Sequence, residues 1–268
     1  MTATARFRHL LGAEWTKLWS LRSTYLVLPL LALVVVGLNA FDAIGHLDFL
    51  DRIGAKPGGD VESGSLDSAF TLNASLVLLL AAGTVGASSI VSELGSGLVR
   101  TTFVAVPDRR AVMAAKVAVV TAVFVVLGAV VSSLSFGISQ AILATEGFGA
   151  PISYPGAWRV VAAPVVLAPV AALVGMAIGA VVRHTATAMA ATPFLLGILP
   201  TFLSDRYATA ARIKYLLPLP AWQRLTNTSP FGMNLQYEPS ITASWIVLAA
   251  WALVAATIAV SVLQRGDV

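Results

Sequence analysis

An all-α, polytopic membrane fold with six transmembrane helices is predicted for this 268-residue chain, on three observations. Apolar residues make up 57% of it and charged residues only 11%, with a mean hydropathy of +0.85; a water-facing surface needs about 25% charged residues. Six windows hold no Asp, Glu, Lys, Arg or His and none is shorter than 19 residues, close to the roughly 20 that cross a hydrocarbon core. Aromatic residues mark their edges, as at membrane interfaces: Trp15, Trp19 and Tyr25 around the first, Tyr154 and Trp158 before the fourth, Trp245 opening the sixth. A soluble enzyme, a disordered chain and a coiled coil are excluded. The absence of cysteine excludes disulfides and thiolate metal sites.

The windows place spans at about 23–41, 68–92, 117–145, 160–182, 185–204 and 239–264, in one membrane domain over 1–268. The fifth is the weakest, because Pro193 and Pro200 remove backbone donors and interrupt it. Six spans put both termini on one side. With that side inside, the inner segments 1–22, 93–116, 183–184 and 265–268 hold ten of the 17 Lys and Arg, and the longer outer segments 42–67, 146–159 and 205–238 hold seven. Cytoplasmic termini follow from the positive-inside rule. The charged stretch before the first span is too long for a cleaved signal peptide, so that span is expected to be retained. The net charge of +4 bears on orientation and gives no reason to expect nucleic acid.

Residues 6–22 have the pattern of an interfacial helix, with Phe7, Leu10, Leu11, Trp15 and Leu18 on one face and Arg8, His9 and Lys17 mostly off it. Glu14 breaks the apolar face. It pairs either locally with Lys17 or with a cation of the 93–116 segment. That segment is a short excursion between two long spans. Its glycine pair Gly95 and Gly97, its short amphipathic stretch and its Pro107-Asp108 turn fit a small helix joined directly to both spans. On a continuous helix Glu93 and Arg100, two turns apart, share a face. A solvated loop is the other reading of the segment. The outer 42–67 segment is acidic and is expected to be a solvated loop.

Three pieces of the chain together resemble the bacterial six-span permease subunits of ABC-2 type ABC transporters. They are Glu14-Trp15-Thr16-Lys17-Leu18 with Arg22-Ser23; Glu93, Ser96-Gly97, Arg100-Thr101, Pro107, Arg109 and Lys116; and Tyr215-Leu216-Leu217-Pro218 with Pro220. The resemblance covers nearly the whole chain. It implies an interfacial helix carrying Glu14, Trp15 and Lys17, and a cytosolic coupling helix between spans two and three. Glu93, Gly97, Arg100, Thr101, Thr102 and Phe103 would be its coupling residues. It also implies short half-inserted helices in the last outer loop. Such a permease exports a drug, peptide or lipid-like molecule by alternating access, multi-pass in the bacterial inner membrane. Its implied partners are two copies of a separate ATPase subunit and a second permease copy, identical or a paralogue. ATP and Mg would be bound by the ATPase, and the permease would be no enzyme and bind no cofactor.

The residues agree with that division of labour. No Gly-x-x-x-x-Gly-Lys-Ser/Thr is present, so no phosphate-cradling loop is expected here. His9, His46 and His184 are scattered, which makes a zinc site improbable. The six windows lack the ionisable groups that ion-coupled carriers place at membrane depth. A secondary carrier using only carbonyls and hydroxyls, and a scaffold that transports nothing, are the alternatives. Polar residues inside the windows either bond neighbouring helices or line a translocation path; Asn73, Ser132, Ser135 and Gln140 are the path candidates. Gly175 and Gly179 form a Gly-x-x-x-Gly that permits close helix approach, expected within the subunit rather than across a dimer.

Overall fold

The computed structural model describes residues 7–20, 22–106, 108–228 and 237–265, and among these there are helices and no strand. Helix α1 is Phe7–Ser20, α2 Arg22–Arg52, α3 Gly59–Asp67, α4 Leu72–Gly95, α5 Leu98–Ala105 and α6 Arg109–Ala144. Then follow α7 Ala157–Val182, α8 Thr185–Pro193, α9 Ala208–Lys214, α10 Pro218–Thr226 and α11 Ile241–Arg265. Six stretches are long and apolar enough to cross a membrane: Thr24–Arg52, Val61–Gly95, Arg109–Ala144, Ala157–Val182, Thr185–Phe202 and Ile241–Val262.

The expected weak span is irregular where its prolines stand. Pro193 ends α8, a π-helical turn runs over Phe194–Ile198, and Leu199–Phe202 tightens to a 3-10 turn with Pro200 near its start. A proline cannot donate to the ladder, so the hydrogen-bond register changes around it.

The outer 42–67 segment is not a loop. Helix α2 continues to Arg52, and α3 occupies Gly59–Asp67. At 1.5 Å per residue α2 is about 46 Å long, well beyond a hydrocarbon core of about 30 Å. Its last turns are acidic, with Asp48 paired to Arg52. The last outer segment also holds helices, α9 and α10. The apolar side of α10 is buried, with Leu219, Ala221, Trp222 and Leu225 inside.

At the centre is α7, of whose span 72% is buried, against 17% for α11. It packs on α4, α6 and α11, and the contact with α4 is the most extensive in the protein. Glycine makes that contact. A Cβ on Gly175 would lie 1.9 Å from the Gly83 carbonyl oxygen, and one on Gly86 would lie 2.0 Å from that of Ala172. A Cβ on Gly179 would lie 2.9 Å from the Ala87 oxygen. The Gly-x-x-x-Gly pair therefore packs within the chain, backbone against backbone.

Candidate functional site: a buried charge cluster beneath two spans

Four charged residues from three helices meet where α1, α4 and α6 come together. Glu14 and Lys17 stand one turn apart on α1, Glu93 in the last turn of α4, and Lys116 two turns into α6. Lys116 Nζ lies 2.6 Å from Glu14 Oε2 and 2.7 Å from Glu93 Oε1. Lys17 Nζ lies 2.7 Å from Glu14 Oε1 and 3.6 Å from Glu93 Oε1. Each ammonium thus faces both carboxylates, and the four charges cancel.

The cluster is buried at its centre. The side chains of Glu14 and Lys116 are 5% and 7% exposed, that of Glu93 15%, and that of Lys17 35%. Charges this buried must be paired, since taking each out of water costs on the order of several kcal/mol. Burial alone would lower the pKa of Lys17. Its hydrogen bond to Glu14 and the charges of Glu93 and Glu14 outweigh that, and hold it above its ordinary value. Leu10, Val112 and Ala115 form a small apolar core beside the cluster, closing α1 onto α6.

Both readings of Glu14 are therefore present at once, the pair with Lys17 and the pair with a cation of the 93–116 segment. Helix α1 turns Leu10 and Glu14 toward the protein, while Phe7 and Trp15 stay exposed. The single apolar face expected of residues 6–22 is thus divided between protein and surroundings.

Below the cluster hangs α5, eight residues joined to α4 and α6 by short links. Helix α4 ends at Gly95, and Gly97 sits at φ 72, a left-handed turn that suits glycine. The helix from 93 to 100 is therefore not continuous, which removes the shared-face argument for Glu93 and Arg100. Thr101 is exposed, Thr102 half-buried, and Val104 is 85% exposed. The side chains of Arg100 and Phe103, and Pro107 altogether, lie outside the described residues. Of the proposed coupling set, Glu93 is drawn into the cluster and Gly97 makes the turn.

Three of the four path candidates are tied up in the fold. Ser132 donates to the Val161 carbonyl at 2.6 Å, joining α6 to α7. Ser135 accepts from Asn39 Nδ2 at 2.9 Å. Gln140 donates to the Ser65 carbonyl at 3.1 Å and accepts from the Ala150 N–H at 2.8 Å. All three are buried, and they bond neighbouring segments together. Asn73, in the first turn of α4, is exposed.

The hub of this network is Asn39, which the sequence reading passed over. It is fully buried on α2, and its Oδ1 accepts from the Thr71 N–H at 2.9 Å and from the Thr71 hydroxyl at 3.2 Å. Thr71 in turn caps α4 through Ala74 N. A lone asparagine inside an otherwise apolar window was the available signal. Near the start of α4, Asp67 accepts from both the N–H and the hydroxyl of Thr228, fastening α3 to the segment after α10.

No group of three or more His, Asp or Glu placed to hold a metal occurs among the described residues. Set against known protein families and the curated proteins, the chain matches no family model and no curated sequence.

Proposed function

We propose that this chain is the membrane subunit of an ATP-driven exporter, working with a second permease copy and with two copies of a separate ATPase. The observation that supports this best is the cluster of Glu14, Lys17, Glu93 and Lys116 directly above α5. A short helix slung between two spans carries force only if the span ends are stiffly joined. Lys116 joins them: it bonds Glu93 of α4 from α6, and Glu14 of α1 as well. A push on α5 by a partner would then tilt α4 and α6 together rather than fold the link between them. In this reading α1 is the interfacial helix, α5 the coupling helix, and both termini are cytoplasmic in a bacterial inner membrane. ATP and Mg belong to the partner, and the cargo is a drug, peptide or lipid-like molecule.

The test is copurification from native membranes in mild detergent. A stoichiometric ATPase is expected with the wild-type chain, and the chain alone is expected to hydrolyse no ATP. Arg100→Glu places a carboxylate on α5 and is expected to keep normal membrane abundance while losing the ATPase, because a reversed charge at an interface weakens docking. Unchanged ATPase recovery in Arg100→Glu and in Phe103→Ala would remove α5 from the docking site. Transport that follows an ion gradient with no ATPase present would replace the exporter by a secondary carrier.

A further inference from the structure

Where α1 lies on α6 the contact leaves an apolar groove of about 480 Å³, lined by Leu11, Gly12, Trp15, Ala118, Val119 and Ala122. Small residues make it. A Cβ on Gly12 would meet nothing within 4 Å, so the space above it is open. Its depth follows from the length of α6. Thirty-six residues give about 54 Å, and a core of about 30 Å centred on them leaves about 12 Å at each end. Residues 118–122 lie about 14–20 Å from the start of α6, just inside the hydrocarbon.

A cation follows on the stripe of α1 that lines the groove, outside the groove itself. At 100° per residue, Arg8 falls on the same stripe of α1 as Gly12 and Trp15, one turn before Gly12. Among the described residues Arg8 is exposed and enters no ion pair. The neighbouring charges of Glu14, Lys17, Glu93 and Lys116 cancel among themselves, so Arg8 is not neutralised by them. Trp15 continues into an aromatic ladder, with ring centroids 5.6 Å from Trp19 and 5.3 Å from Trp19 to Tyr25. Tryptophan and tyrosine favour the headgroup level of a bilayer.

An apolar slot at acyl-chain depth, with a free guanidinium one turn away toward the headgroups, complements an anionic amphiphile. We propose that this groove is a specific site for an anionic phospholipid, its acyl chain against Gly12, Ala118 and Ala122 and its phosphate met by Arg8. The inference is independent of the exporter reading, since it needs only a membrane around α6.

The experiment uses the full chain in nanodiscs containing a small fraction of phosphatidylglycerol with a photoactivatable acyl chain. The comparison probe is phosphatidylcholine carrying the same group, and crosslinked peptides are mapped by mass spectrometry. Phosphatidylglycerol is expected to label residues 11–15 and 118–122 several-fold more than phosphatidylcholine does, with no such preference on the exposed faces of α2 and α11. Arg8→Gln is expected to abolish the preference and keep the basal labelling. Gly12→Leu, whose Cβ enters open space, is expected to cut labelling at 118–122 by both probes. Equal labelling by the two probes in the wild-type chain would mean ordinary surrounding lipid and would overturn the proposal. So would a preference that survives Arg8→Gln. Circular dichroism and gel filtration confirm that each variant is folded before labelling.

Discussion

Lys116 and Glu14 meet at 2.6 Å with both side chains more than nine-tenths buried, one on a candidate span and the other on the short helix that precedes the first span. Neither charge has water to fall back on. That dependence makes the pair sensitive to loss of one partner and tolerant of loss of both.

Lys116→Met is therefore expected to lower stability by about 3–5 kcal/mol, the range for leaving a buried charge unpaired. The double change Glu14→Gln with Lys116→Met is expected to recover a large part of that loss. Lys17→Met, at a half-buried position, is expected to cost far less, about 1 kcal/mol or below. Thermal unfolding followed by tryptophan fluorescence in detergent ranks the three variants. An order with Lys17→Met the worst would contradict the geometry.

Gly175→Ala would drive a methyl to 1.9 Å from the Gly83 carbonyl oxygen. Backbone atoms cannot step aside as a flexible side chain does, so a cost of about 1–3 kcal/mol or more is expected. Gly37→Ala on α2, where a Cβ would meet nothing within 4 Å, serves as the control and is expected to be neutral or slightly stabilising. The same unfolding assay separates them, and equal midpoints would refute the close approach of α4 and α7.

Removing the Asn39 amide strands the half-buried Thr71 N–H and takes the donor from the buried Ser135 hydroxyl. Asn39→Leu is expected to cost about 1–3 kcal/mol, the penalty for one orphaned buried group. Hydrogen exchange is expected to speed up at 71–75, the start of α4, and to stay unchanged in α11. Protection at 71–75 equal to wild type would show that Asn39 does not hold that helix end.

Exposed residues on opposite ends of the candidate spans test the topology. With the native chain free of cysteine, Lys56→Cys is expected to react with a membrane-impermeant thiol reagent on intact cells. Ser96→Cys is expected to react only after permeabilisation. The opposite result would turn the molecule over and put α5 on the wrong side for an ATPase.

The spans were legible because a long run without charge has one physical use, and Pro193 announced the break in the fifth. Helix α2 was drawn too short for the same reason. Asp42, Asp48 and Asp51 read as loop in a scale that scores only apolarity, yet a helix leaving a bilayer carries such residues on ordinary backbone hydrogen bonds. Glu14 was recognisable as misplaced, but its partner was not, because Lys116 reaches it only through the packing of α1 on α6. Ser132, Ser135 and Gln140 show the converse. Their polarity was visible, while the choice between lining a path and bonding a neighbour depends on which way each helix is turned. For α6 that rotation follows from packing such as Gly128 against Val165 of α7, which, like the glycine contacts between α4 and α7, a hydropathy pattern does not encode.

Those contacts have a mechanical consequence. With carbonyls of Gly83 and Ala172 seated where side chains would otherwise be, α4 and α7 have no clearance for sliding past each other. A slide of one turn, about 5.4 Å, would bring Ala82 or Ile90 into a notch shaped for glycine. The two helices form one rigid unit, so any tilt of α4 has to carry α7 with it.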